Sequence, residues 1–297
     1  MRNTFVESII KRARIDDRIF IVTPDMGYNM LEDYIAEFPD RYLNVGIAEQ
    51  NAIGVAAGLA LSGKLVYVYS IVPFLTMRCF EQIRLDVAYM NTNVRLIGVG
   101  GGLSYGAAGA THHAIEDIAI MRALPNMKVC CPGDPVELQL LLEEGYQSKG
   151  PIYYRLGNNG EEIIHTSAVE LKFGKSLVVK EGDDIALITT GNMLEKGLEI
   201  VNSWENEGTK ATLLSMPCIK PFDVKAIREL IRKDIPIITL EEHNIIGGLG
   251  SAVAEIIAES NKAIKFKRVA INDCYSHFVG SQSYLREKFN LDIVKSI

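Results

Sequence analysis

The chain has 297 residues, 48% of them hydrophobic and 23% charged, and a formal net charge of −6. That length suggests about two domains with the balance of an ordinary globular protein. The acidic balance excludes a general attraction to nucleic acid or anionic membranes, and no apolar run reaches the ~18 residues of a membrane helix.

Apolar runs alternate with helix-length segments along the chain. Residues 18–22, 65–69, 94–99, 127–131 and 152–155 read as strands. Residues 49–61, 74–90, 114–123 and 135–146 read as the helices between them. A break at 157–160 and a polar stretch to about residue 174 read as a linker. A second series follows, with strands at 185–189, 211–215, 235–240 and 266–271 and helices near 194–206, 224–232 and 251–259. The alternation predicts an α/β protein of two doubly wound, mainly parallel-sheet domains, 1–165 and 166–297. The start of the chain lacks a secretory apolar region. The five cysteines are odd in number and contain no C-x-x-C pair. Reduced thiols in a cytoplasmic protein are the expectation.

Asn44-Val-Gly-Ile-Ala-Glu-Gln-Asn places one carboxylate, Glu49, at the start of a helix made almost wholly of small residues. An acidic first turn is common, because the helix dipole favours it. A small-residue helix also admits a flat ring or another backbone at close range. Asp25 follows the first strand and reads equally as a turn residue. Phe74 stands in Tyr69-Ser-Ile-Val-Pro-Phe-Leu-Thr-Met-Arg, and reads by itself as a core aromatic. The run Gly98-Val-Gly-Gly-Gly-Leu-Ser-Tyr-Gly-Ala-Ala-Gly-Ala-Thr-His-His suggests a phosphate cradle, but neither G-x-G-x-x-G nor the P-loop spacing is present. His112, His113, Glu116 and Asp117 lack the H-E-x-x-H spacing, so no metal site is expected in the chain.

These segments, with Arg122-Ala-Leu-Pro-Asn-Met, together resemble the transketolase superfamily over essentially the whole chain. The resemblance implies thiamine diphosphate as cofactor. Glu49 would hydrogen-bond a ring nitrogen of the aminopyrimidine and favour its imino tautomer. Phe74 would stack on that ring, with Asp25, Ile71 and Met77 lining the pocket. His112 would face the thiazolium and handle protons of the bound substrate. Arg155 would bind a substrate phosphate, and His113 stands where Gln is usual. Transketolases carry an Asp at the place of Ala108 and a His at that of Gly100, so the substrate wall is altered here.

The family's Gly-Asp-Gly…Asn module, which binds the diphosphate through Mg²⁺, has no counterpart. Gly133-Asp134 is followed by Pro135, and Gly182-Asp183 by Asp184. The resemblance therefore implies the C-terminal subunit of a split transketolase. An N-terminal partner would supply the Mg²⁺ ligands, in an α2β2 assembly. The enzyme would move a two-carbon unit from a donor to an aldehyde or ketone. Two alternatives stay open: a 2-oxo-acid decarboxylating synthase or dehydrogenase β-type subunit, and a non-catalytic interaction subunit.

Overall fold

The computed structural model describes residues 1–158, 160–292 and 294. Asn159, within the expected break, lies outside the described residues, as do Ile293 and residues 295–297 at the end of the second expected domain. The first half carries β1 (Ile19–Thr23), β2 (Tyr42–Asn44), β3 (Leu65–Ile71), β4 (Val94–Val99), β5 (Lys128–Cys130) and β6 (Ile152–Leu156). The second carries β7 (Leu177–Lys180), β8 (Ile185–Thr189), β9 (Ala211–Ser215), β10 (Cys218–Lys220), β11 (Ile237–Asn244) and β12 (Phe266–Ile271). The helices among them are α1 (Arg2–Ala13), α2 (Glu32–Glu37), α3 (Glu49–Leu61), α4 (Val72–Thr76), α5 (Phe80–Gln82), α6 (Asp117–Ala123), α7 (Pro135–Gln147), α8 (Leu194–Asn206), α9 (Val224–Lys233), α10 (Leu249–Ala258) and α11 (Gln282–Lys288).

Two sheets form. The first has the order β10-β5-β6-β4-β3-β1-β2 and the second β12-β11-β8-β9-β7. All pairings are parallel except β10 with β5 and β7 with β9, which close one edge of each sheet. β10 comes from the second half of the chain, so the first sheet is completed by a strand that follows the linker. Along β3 the side chains alternate between two cores. Tyr67 and Tyr69 meet Phe5 and Ile9 of α1 and Leu138 of α7. Val66 and Val68 meet Ala52, Ile53 and Ala56 of α3. Burial on both faces is what a central parallel strand requires, and it explains the continuous apolar run. One apolar cluster continues through Ile118 and Met121 to Ile188 and Val253, so the two sheets share a core.

The helix expected at 74–90 is broken. α4 begins directly after β3, with Pro73 in its first turn, where its missing N–H costs nothing. Thr76 Oγ1 bonds back to Val72 O at 2.8 Å, and α4 stops. After a turn at Met77–Cys79 the chain resumes as α5 and continues as a π-helical stretch, Ile83–Tyr89. The break directs the 74–78 segment toward the start of α3.

Candidate functional site

Parallel strands deliver their carboxyl ends to one edge of the sheet. Register pairs Val22 with Leu43 and Val68, and Ser70 with Gly98. The segments leaving β1, β2, β3 and β4 therefore emerge side by side. They carry Asp25, Glu49, Phe74 and His112 respectively. Ligands of open α/β sheets bind at this edge.

Glu49 is the first residue of α3 and only 6% exposed. Its Oε1 pairs with Arg78 Nη1 at 2.7 Å. The Arg78 guanidinium carbon lies 4.4 Å from the centroid of the Phe74 ring. The His112 ring meets Phe74 edge-on, with centroids 5.0 Å apart. Thr111 Oγ1 lies 2.9 Å from His112 Nδ1, which steadies the ring. Cys79, beside Glu49, is buried; burial and then the nearby carboxylate push its thiol up to about 12. It is therefore an inert thiol.

Asp25 stands at φ 53 at the end of β1. It accepts from Tyr28 Oη at 2.9 Å and Asn44 Nδ2 at 3.1 Å. Asn44 first, then Tyr28, holds its carboxyl below the usual range. Asn44 Oδ1 accepts from the backbone N–H of Asp25 and of Gly46. One amide thus braces the Asp25 turn against the approach to Glu49. Ile71 closes the end of β3, and Met77 is half-buried in the turn before Arg78.

The glycine loop is shaped by what presses on it. Gly100 has φ +82, and a Cβ there would collide with Cε2 and Cδ2 of Tyr105. The Tyr105 ring thus covers the place where a side chain at position 100 would project. It lies 6.1 Å from the His112 ring. Burial raises the Tyr105 hydroxyl above its ordinary pKa. Ala108 is exposed on the following turn. His113 is buried, with Nε2 3.3 Å from Gly106 O; among the described residues its Nδ1 has no partner. His112 and His113 therefore face different surroundings.

Arg155 sits apart from the Glu49–Phe74–His112 group. It is 3% exposed and lies beneath Gly101. Its Nε donates to Asp117 Oδ2 at 2.8 Å, and its Nη2 donates to Ala114 O and Glu242 O. Tyr153 Oη donates to the same carboxylate oxygen at 2.7 Å. A buried guanidinium held through Nε and Nη2 in this way ties β6, the glycine loop and β11 together. Glu242 also accepts from Leu103 N, Gln282 and Arg286, so the second domain clamps the loop. Glu241 accepts from Leu249 N and Gly250 N at 2.7 and 2.8 Å, capping α10. Among the described residues no group of three or more His, Cys, Asp or Glu side chains is placed to hold a metal ion. No helix among them is long and apolar enough to cross a membrane.

Sequence reasoning did not single out Arg78 or Tyr105. Arg78 had a signal: it is a cation four residues after an aromatic at the end of a strand. Tyr105 had none, because its position over Gly100 depends on the loop's fold.

The carboxyl edge of the first sheet thus brings a buried carboxylate, Glu49, and an aromatic ring, Phe74, together in an α/β protein. The models of the transketolase pyrimidine-binding domain and the transketolase C-terminal domain match residues 1–159 and 174–292. An apulose-4-phosphate transketolase subunit of Actinobacillus succinogenes is 36% identical over 293 residues, 98% of this chain and 94% of that protein. The 6-deoxy-6-sulfo-D-fructose transketolase subunit SqwH of Clostridium sp. strain MSTE9 is 35% identical over 98% of this chain and 90% of its own length. A solved structure, "Split gene transketolase, inactive beta4 tetramer", superimposes with a TM-score of 0.88 at 34% identity, covering 98% of this chain and 93% of that one. The chain belongs to the transketolase family. It consists of the pyrimidine-binding and C-terminal domains and corresponds over nearly its whole length to the C-terminal subunit of a split transketolase.

Proposed function

We propose that this chain is the C-terminal, pyrimidine-binding subunit of a split transketolase-like transferase that uses thiamine diphosphate. The observation that carries the reading is the seat formed by Glu49 and Phe74. One planar guanidinium, that of Arg78, contacts both Glu49 Oε1 and the Phe74 ring. The planar guanidinium of Arg78 lies where a flat ring would sit against the Phe74 face with one nitrogen toward the Glu49 carboxylate, so the residues present fit an aminopyrimidine. Thiamine diphosphate, when bound, supplies the carbon nucleophile that takes up and passes on a two-carbon unit.

The chain's own residues do the rest. Glu49, shielded from water, would hold the pyrimidine by sharing a proton with one of its ring nitrogens. Phe74 supplies a stacking face worth about 1 kcal/mol beyond its buried area. His112, steadied by Thr111, presents Nε2 to hydroxyls of donor and acceptor. Asp25, Ile71 and Met77 shape the pocket wall. Arg155 and Asp117 hold the glycine loop in place. Gly100, Ala108 and the Tyr105 ring set the donor wall, and His113 supports the turn at Gly106 from beneath.

Mg²⁺ and its ligands are assigned to an N-terminal partner, in an α2β2 assembly, because the chain's sequence holds no Gly-Asp-Gly. Asp134 of Gly133-Asp134 is instead a buried helix cap, accepting from Glu137 N at 2.8 Å. Exposed Ile47, Leu61 and Tyr89 support the presence of a covering surface. Domains 1–165 and 166–297 and a cytoplasmic site of carbohydrate metabolism belong to the same proposal. The free cysteines fit that location.

A ketose donor follows from the relatives, which are named for apulose 4-phosphate and a sulfofructose. The Tyr105 ring over Gly100 and the apolar Ala108 favour a second donor class, the less hydroxylated 2-oxo acids. A titration of thiamine diphosphate and Mg²⁺ with and without a Gly-Asp-Gly…Asn partner tests the assembly. Tight Mg²⁺-dependent binding and turnover are expected only with the partner. Equal binding by the lone chain refutes the division of labour, and a donor panel on the complex separates ketose from 2-oxo acid.

A further inference from the structure

We propose that Arg78 occupies the aminopyrimidine seat in the cofactor-free chain and must vacate it for the cofactor to bind. The inference rests on Glu49 and Phe74 being the pyrimidine-binding pair. Arg78 makes both contacts with one planar group, 2.7 Å to Glu49 Oε1 and 4.4 Å to the Phe74 centroid. A second planar N–C–N group cannot make them at the same time. Occupation also serves Glu49. A nearly buried carboxylate without a partner is costly, and the guanidinium partners it until a ring nitrogen replaces it.

The geometry lets Arg78 leave. It stands in the turn between α4 and α5, where its own backbone N–H is held by Pro73 O at 3.3 Å. Its side chain is 45% exposed, and among the described residues Glu49 is its one ion-pair partner. Because the guanidinium itself is half-exposed, water can take it over when it leaves, and its cation–π contact is of the weaker, exposed kind; the nearly buried Glu49 needs a replacement partner, which the ring nitrogen supplies. Arg78 therefore acts as a competitor within the chain: it weakens cofactor binding by a modest factor and keeps the seat shaped and satisfied.

Thiamine, which lacks the diphosphate and so does not depend on Mg²⁺, is the probe. Its affinity for the isolated full-length chain is measured by calorimetry for the native protein, Arg78→Met, Arg78→Lys and Glu49→Gln, with thermal melts confirming that each folds. Arg78→Met is expected to bind thiamine about tenfold more tightly than the native chain, ~1.4 kcal/mol. Arg78→Lys keeps the charge but not the planar fork, and a gain of several-fold is expected there too, which separates vacating the seat from simple removal of charge. Glu49→Gln added to Arg78→Met should abolish the gain. If thiamine binding needs Glu49 but is unchanged or weaker in Arg78→Met, Arg78 is not a competitor and the inference fails. If binding is indifferent to Glu49→Gln, or undetectable in Arg78→Met at millimolar thiamine, the pyrimidine-site reading fails and the inference falls with it.

Discussion

Replacing Arg155 by Met should unfold the chain more readily without acting on a phosphate. The guanidinium is 3% exposed and contacts Asp117 Oδ2 at 2.8 Å, Ala114 O at 2.9 Å and Glu242 O at 3.0 Å. Burial opposes its charge, but the Asp117 carboxylate outweighs burial and holds the Arg155 pKa above its ordinary value. Methionine fills much of the volume but leaves Asp117 as a buried charge with, among the described residues, only the Tyr153 hydroxyl donating to its side chain. Removing one partner of a buried ion pair costs roughly 3–5 kcal/mol. At about 2 °C per kcal/mol for a chain of this size, the melting midpoint should fall by about 6–10 °C. The double variant Arg155→Met/Asp117→Leu removes both charges and should recover at least about half of that loss, because an apolar pair of similar volume is often neutral. The assay is thermal unfolding of the purified chain, with donor kinetics on the assembled enzyme. A midpoint within about 2 °C of the native chain, together with a raised KM confined to phosphorylated donors, would refute the anchoring role and restore the phosphate-binding one.

Three further outcomes follow from the site. Glu49→Gln should reduce turnover of the assembled enzyme by at least ~100-fold, the range of a positioned acid–base group; near-native turnover in a steady-state assay removes Glu49 from the chemistry. Gly100→Ala should lower stability by roughly 1–3 kcal/mol, since φ is +82 and the new Cβ meets the Tyr105 ring; an unchanged melt shows that Tyr105 moves freely. His165 is buried with Nδ1 3.0 Å from Asp134 Oδ2 and Nε2 3.8 Å from Glu137 Oε1, and this buried trio should give the melt a pH slope. Burial pushes the Glu137 carboxyl from 4.5 to about 7. The native state then keeps a proton that the unfolded chain gives up, so stability falls as pH rises through that interval. His165 is opposed by burial but held above 6.5 by Asp134 and Glu137, and its contribution is likewise lost as pH rises through its folded value. Glu137→Gln should flatten the decline between about pH 5 and 7.5, on the order of 2–3 kcal/mol; an equally steep decline in the variant would place the cause elsewhere.

The parts of the fold legible in the sequence were those whose burial follows a local period. The helix at 49–61 and the strand at 94–99 fall within their expected limits, because small-residue and apolar runs there are bounded by polar or glycine residues. The helix at 74–90 was misread because its apolar spacing continues through a break made by Pro73 and by the Thr76 back-bond. β10 has three residues and no period, and it pairs across 88 positions with Cys130 of the other half. At the carboxyl edge, Glu49, Phe74 and His112 stood out through the family resemblance, since read alone they are an acidic first turn, a core aromatic and the end of a glycine loop. Arg155 was legible as a charge but not as a buried one. Its partner Asp117 lies 38 residues away, and only the fold brings the two together.

One choice in α3 has no explanation within the chain. Gly54 and Gly58 lie inside the helix, and a Cβ at either would meet nothing within 4 Å. Glycine in a helix interior costs roughly 1 kcal/mol relative to alanine. With helical backbone and open space, Gly54→Ala and Gly58→Ala should each stabilise the isolated chain by about 0.5–1 kcal/mol. The same face carries Gln50, Asn51 and Leu61, exposed and uncharged, and begins next to Glu49. If a partner backbone packs on this face, the added methyls stand in its path, and over-packing costs about 1–3 kcal/mol. The double variant should therefore melt higher alone yet bind its partner about 5–100-fold more weakly. Thermal unfolding of the lone chain and titration of the partner read the two effects separately. A double variant that is more stable and assembles with native affinity would show that α3 does not form the contact, and the partner surface would then have to be sought elsewhere, first at the exposed π-helical stretch bearing Leu85 and Tyr89.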